Sequence, residues 1–147
     1  MSIASIRRKV LALAVLAAAG GLASCEDAGT GTDGQVPTGL VVVDARGDQV
    51  AAYNGASVTG VVRVAAGAQQ TFRVFLTSAS GSRISLGSGG YTLRPTVVIS
   101  AVAGVSAQGS DELVVTGRAA GTTSLVLQVL EGGRAVFDPA LVLVVGP

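Results

Sequence analysis

From about Leu40 onward the chain is a series of short valine-rich runs broken by Gly, Asn, Asp and Ser. The clearest is Gln70–Thr77, where Phe72, Val74 and Leu76 alternate with Thr71, Arg73 and Phe75. A period of two sends successive side chains to opposite faces of a pleated strand, so this run predicts a half-buried β-strand. Thr122–Leu130 repeats the pattern, with Thr123, Leu125, Leu127 and Val129 on one face and Ser124, Val126, Gln128 and Leu130 on the other. Further strands are expected at Leu40–Asp44, Gln49–Tyr53, Ser57–Ala65, Arg83–Leu86, Tyr91–Ser100, Leu113–Gly117 and Arg134–Val145. Pro95 has no ladder donor, so Tyr91–Ser100 belongs at a sheet edge or contains a bulge. Turn chemistry separates the runs at Ala45–Asp48, Asn54-Gly55, Ser78–Ser82, Gly87–Gly90 and Glu131–Gly133. None of these segments carries helical apolar spacing with caps. The pattern predicts an all-β fold, an antiparallel β-sandwich of about seven to nine strands over residues 39–147. The apolar run Ala140–Val145 is too short for a membrane span and is expected to be a buried strand.

The N-terminus follows a different pattern. Arg7, Arg8 and Lys9 precede an apolar run from Val10 to Leu22, and Ala23-Ser24-Cys25 follows. A permanent transmembrane helix needs about 20 apolar residues, and this run is shorter, so residues 1–24 are expected to be a secretory signal peptide. Leu22-Ala23-Ser24-Cys25 resembles the bacterial lipobox. That resemblance implies cleavage between Ser24 and Cys25 and a diacylglyceryl group on the Cys25 thiol. Cys25 is the only cysteine, and lipidation accounts for a lone thiol in an exported chain. One acyl chain binds a bilayer marginally, whereas two or three hold stably. The resemblance therefore implies a membrane partner, held through lipid on Cys25. Residues 25–38 are then the lipidated cysteine and a flexible Gly/Thr/Asp-rich tether. By the sorting rule of Gram-negative lipoproteins, Glu26 stands where an Asp would favour inner-membrane retention. Outer-membrane placement is therefore favoured in such a host, with Asp27 one position later.

Composition narrows the chemistry. The chain has no His and one Cys, which excludes zinc-finger sets, Cys/His nucleophile pairs, Ser/His/Asp triads and an intrachain disulfide. Lys9 is the only lysine, so the segment after Cys25 offers none for a Ser-Lys dyad or a Schiff base. Charged residues are 13% of the chain against roughly 25% in average domains, and the net charge is +1. So small a charge does not fit a nucleic-acid partner.

The stretch Val114–Val129 resembles the closing half of bacterial Ig-like domains of the group 2 type. The matching residues are Val115, Gly117, Gly121, Thr122, Thr123, Leu125, Leu127 and Val129. The pattern has a mechanical sense: one glycine permits the corner between sheets, the second starts the next strand, and the threonines suit an exposed strand entry. The resemblance implies an Ig-like sandwich. It also places a strand near Val98–Val105.

Several motifs invite a functional reading, and each has a plainer one. Arg46-Gly47-Asp48 matches an integrin-ligand tripeptide, yet Gly and Asp are ordinary turn formers here. Asp44, Asp48, Asp111 and Glu112 could donate oxygens to Ca²⁺, but a site needs six to eight ligands and no Asp-x-Asp-x-Asp array occurs. Tyr53 and Tyr91 are the only tyrosines and would have to form any sugar-stacking platform. Gly87–Gly90 lacks the Lys-Ser/Thr and helix of a phosphate loop. No catalytic residue, metal site or cofactor is expected. The expected role is that of a non-enzymatic, lipid-anchored cell-envelope protein whose Ig-like domain makes protein–protein contact with an envelope partner or acts as a spacer. Contact would use loops or sheet edges, with Arg63, Arg73 and Pro95 placed to discourage edge pairing. The alternative is a glycan- or small-ligand-binding accessory module at the cell surface.

Overall fold

The computed structural model describes residues 36–147. In chain order its strands are β1 (Pro37–Val43), β2 (Gln49–Tyr53), β3 (Val58–Gly60), β4 (Val62–Ala65), β5 (Gln69–Ser78) and β6 (Arg83–Ile84). They continue with β7 (Tyr91–Val97), β8 (Ala103–Gln108), β9 (Glu112–Gly117), β10 (Gly121–Glu131), β11 (Arg134–Phe137) and β12 (Ala140–Gly146). No helix occurs among the described residues. One sheet runs β3-β2-β1-β5-β9-β8, with β6 also paired to β5. The other is built on β10, which carries β7 on one side and both β11 and β12 on the other, with β4 outside β12. Every pairing is antiparallel except that of β4 with β12.

The two cleanly alternating runs become β5 and β10, and both lie in sheet interiors. Phe72, Val74 and Leu76 on β5, with Leu125, Leu127 and Val129 on β10, are fully buried in one core. Leu40, Val42, Leu113, Val115, Leu141 and Leu143 complete much of that core from neighbouring strands. Alternation dictates this outcome, because a slip of one residue would turn Thr71 and Arg73 inward.

The topology is that of an Ig-like sandwich. β1-β5-β9-β8 and β7-β10-β12, in chain order, occupy the places of the ABED and CFG sheets of a constant-type Ig domain. The other strands are additions to that frame: β2, β3 and β4 between its first and second strands, β6 between its second and third, and β11 in its last hairpin. These additions bring the total to twelve strands, above the seven to nine expected. Gly117 ends β9 in one sheet and Gly121 begins β10 in the other, so the two glycines hold the corner that the sequence pattern implied.

Several expected elements differ in extent, among them Arg83–Leu86, which ends at Ile84, and Tyr91–Ser100, which ends at Val97. Ser57–Ala65 is two strands in different sheets, and the break is at Gly60. Its φ is +78°, and a Cβ there would run into the Val50 carbonyl oxygen. The chain then bonds back through Val61 N to Val50 O at 3.0 Å and crosses to the second sheet. Arg134–Val145 is likewise two strands, divided at Asp138-Pro139, where proline supplies no donor and its carbonyl accepts from Leu127 N at 3.0 Å. The strand placed near Val98–Val105 lies later, at Ala103–Gln108. Residues 98–102 are instead a turn closed by Val102 N to Ile99 O at 3.0 Å. At the start of the sandwich, β1 begins at Pro37, which pairs with Ser78, ahead of the expected Leu40. Pro95 lies on β7, which pairs only with β10 and is therefore an edge, as expected. Ala140–Val145 is a strand whose Leu141, Leu143 and Val145 are buried.

The crossing at Gly60 is a testable constraint. Gly60→Ala combines a positive φ with a backbone clash and should destabilise the domain by about 1–3 kcal/mol. Gly146→Ala, where a Cβ meets nothing within 4 Å and φ is ordinary, should be nearly neutral. Urea unfolding of the two variants checks this as a midpoint shift at unchanged slope.

Candidate functional site

The residues that could carry chemistry are spread over turns and edges. Ser24 and Cys25, the expected cleavage and lipidation site, lie outside the described residues, as do residues 1–35 as a whole.

Arg46-Gly47-Asp48 forms the β1–β2 turn, and Asp44 builds it. Asp44 Oδ1 accepts from Arg46 N at 2.9 Å and from Asp48 N at 3.0 Å. The backbone closes with Asp44 N to Asp48 O at 2.9 Å and Gly47 N to Asp44 O at 3.0 Å. Gly47 takes a φ of +89°, which the turn requires and glycine adopts without strain. The carboxylate of Asp44 thus binds its own backbone. Asn54 does the same at the β2–β3 turn, accepting from Ala56 N and Ser57 N at 3.1 and 2.8 Å.

Asp111 sits at the β8–β9 turn and reaches across to β5. Arg73 Nη2 donates to Asp111 Oδ2 at 2.9 Å, and Val74 N donates to the Asp111 carbonyl at 2.8 Å. The Arg73 hydrogen bond is the main cause that holds the Asp111 carboxyl below its ordinary value, with the guanidinium charge acting in the same direction against partial burial. Arg73 also lies over the Phe75 ring at 5.1 Å, and Arg83 lies over the same ring at 5.4 Å. Arg73 therefore does not guard an edge, contrary to expectation, because β5 is paired on both sides. Arg63 does lie on an edge, in β4. Among the described residues no three of His, Cys, Asp and Glu are grouped closely enough to hold a metal ion.

The two tyrosines do not form a platform. Tyr91 is buried, and the Gly87–Gly90 turn closes on its ring so tightly that a Cβ on Gly89 would strike it. Burial pushes the Tyr91 phenol above its ordinary value, and the Glu131 carboxylate adds to the effect. Tyr53 is half-buried, donates from its hydroxyl to Gly55 O at 2.8 Å and packs its ring on Phe137 at 5.8 Å. Both rings are committed to closing the sandwich.

Two features of the surface are not marked by alternation in the sequence. The first is β8, a free edge whose Ala, Gly and Ser content hides it from an alternation search. The second is the β7–β8 turn, where Val98 and Ile99 are 67% and 47% exposed. This turn is held from several sides: Val98 N to Ser124 O at 3.0 Å, Ile99 N to Thr123 Oγ1 at 2.9 Å, and Arg118 Nη1 to Ser100 O at 2.7 Å. Thr123 is buried, so it serves this turn from inside, whereas an exposed strand entry was expected of it. The available signal was the unbroken apolar run Val97-Val98-Ile99, which interrupts the alternation.

No family model and no curated protein matches the chain. Among solved structures, domains 4 and 5 of the S-layer protein SbsC are similar at 15% identity and a TM-score of 0.45, covering 74% of this chain and 77% of that one. Domains 5–6 of SbsC are similar at 22% identity and a TM-score of 0.45, over 60% of this chain and 42% of that one. The Escherichia coli adhesin FdeC is similar at 19% identity and a TM-score of 0.34, over 74% and 31%. The fold assignment above stands on strand order alone.

The Arg73–Asp111 pair sets a pH dependence. A depressed carboxyl value stabilises the fold above the ordinary carboxylate range, and that contribution is lost as pH falls through the depressed value. Arg73 is 55% exposed on its side chain, so the pair is screened and is worth about 0.2–1 kcal/mol. Asp111→Asn should therefore lower stability by that amount at pH 7, with the difference shrinking as pH falls below the ordinary carboxylate range. Denaturant melts of both proteins across this range check it.

Proposed function

We propose that this chain is a non-enzymatic, lipid-anchored cell-envelope protein, and that its Ig-like domain makes protein–protein contact. One observation carries the reading. The side chains with usable chemistry, Asp44, Asp111, Arg73, Tyr53 and Tyr91, are committed to turns and packing, while backbone hydrogen-bonding groups remain open at sheet edges. An open edge binds an added strand through main-chain bonds and needs no cleft. The lipobox-like Leu22–Cys25 supplies the anchor, and the Gly/Thr/Asp segment that follows supplies the spacing from the membrane. In a Gram-negative host the residue after Cys25, Glu26, favours the outer membrane. The glycan-binding alternative has no feature in its favour, since its two candidate tyrosines face the packing of the sandwich.

The anchor is tested by growing cells with labelled palmitate, wild type beside Cys25→Ala. The wild type should take up label and lose residues 1–24, whereas the variant should stay unlabelled and keep those residues in its intact mass. An unlabelled wild type would overturn the lipid assignment. Crosslinking in the same cells should capture a discrete protein with the labelled form, and no capture despite labelling would point to a spacer.

A further inference from the structure

We propose that β8 is a homotypic docking edge, through which two copies of this chain pair antiparallel about Ser106. The proposal deepens the protein-contact reading above and rests on it by naming the partner as a second copy.

The phase of the β8–β9 ladder decides which groups are open. Arg118 N donates to Val102 O at 2.8 Å, and the register Ala103↔Gly117 places Val102 opposite Arg118. Hydrogen-bonded pairs recur at every second residue of an antiparallel ladder. Gly104, Ser106 and Gln108 therefore bond toward Thr116, Val114 and Glu112, their register partners. Val105 and Ala107 turn their N–H and C=O groups away from β9. The N–H of Ala103 is already directed to Ile99 O at 3.4 Å, which leaves Val105 and Ala107 as the open pair. Ser106, Ala107 and Gln108 are exposed, and β8 has no partner but β9 among the described residues.

This arrangement is self-complementary. With a two-fold axis through Ser106, Val105 faces Ala107 of the second copy. The two residues exchange both bonds, and symmetry repeats the exchange, so no open group of either residue is wasted. Ser106 meets its own copy as the close, non-hydrogen-bonded pair, where small side chains fit, and Gly104 lies opposite Gln108. No charge meets its like.

The remaining described edges refuse such pairing. β4 carries Arg63, β7 carries Arg94 and Pro95, and β11 carries Arg134, so a strand added there meets an arginine or a missing donor. β3 is three residues long and ends on Gly60, and β6 is two residues long. β8 reads Ala-Gly-Val-Ser-Ala-Gln and has neither charge nor proline. The one guanidinium lying against the strand, Arg118 over Gly104, is held by Ser100 O at 2.7 Å, and the matched open groups about Ser106 favour a copy of the same strand. A single strand pair is smaller than a standard interface, so pairing in dilute solution is weak. Holding both copies in one membrane raises their effective concentration and makes the weak contact sufficient.

The test places single cysteines in the full chain in cells and applies a mild oxidant such as copper phenanthroline. Ser106→Cys should give a reductant-sensitive species of twice the monomer mass. Gln108→Cys, Arg63→Cys and the wild type should stay monomeric. A Ser106→Cys chain that stays monomeric while Cys25 is palmitate-labelled overturns the proposal, as does its linkage to a protein of different mass. A dimer from Gln108→Cys in place of Ser106→Cys overturns the axis. A disulfide dimer of the wild type would run through a free Cys25 and would overturn the lipid assignment instead. In that case the double variant Cys25→Ala, Ser106→Cys, purified and oxidised over a rising protein concentration, reads the pairing alone, a concentration-dependent dimer supporting it and a monomer throughout ending it. Thermal melts by circular dichroism, expected to match wild type, separate lost pairing from lost folding.

Discussion

The burial of one face of β5 against one face of β10 is the constraint that the other elements obey. Each strand alternates strictly, and each lies inside its sheet with partners on both sides. The core they share with their neighbours is built from Val and Leu, with Phe72 as its one fully buried aromatic. Branched aliphatic side chains pack well on a pleated surface but fill less space than aromatic rings. Small residues stand where the chain crosses between the sheets, at Gly60 and Gly117. Gly117 shows this most directly. Its N–H donates to Ala68 O at 2.9 Å, its carbonyl accepts from Gly67 N at 3.0 Å, and a Cβ there would strike the Ala65 carbonyl.

Few charges are present, and those described that make defined contacts act on local geometry. Asp44 folds a turn on itself, and Asp111 ties the β8–β9 turn to β5. Arg73 and Arg83 lie over Phe75, the one aromatic that alternation sends to the outer face of β5. Val41, Val43 and Val114 are also buried, although they point away from the central core. The domain therefore has a satellite apolar layer on its first sheet, beside Phe75 and the stems of its arginines.

A surface built this way offers little for side-chain chemistry and more for backbone recognition. Edges differ in what they permit. Arginine or proline closes β4, β7 and β11 to an added strand, and shortness limits β3 and β6. β8 keeps a matched pair of open backbone groups on a strand without charge.

Taken alone, the sequence determined the all-β class, because period-two alternation in β5 and β10 with no helical spacing elsewhere after Leu40 leaves sheet packed on sheet to bury the apolar faces. It also limited Pro95 to an edge or a bulge, since proline has no ladder donor, and the pairing of β7 with β10 alone decided for the edge. It excluded the His- and Cys-based chemistries by composition, and it carried the lipobox resemblance at Cys25. Tertiary structure decided the rest. The break at Gly60 depends on which sheet has room for the next strand, and that is not a local property of the residues. Arg73 was legible as an outward residue but not as an interior one, because edge and centre differ only by a neighbour distant in sequence. Thr123 and the tyrosines likewise took their roles from groups brought to them by folding. β8 carries almost no hydrophobic contrast in its Ala, Gly and Ser residues, and only its pairing with β9 reveals which of its backbone groups are free.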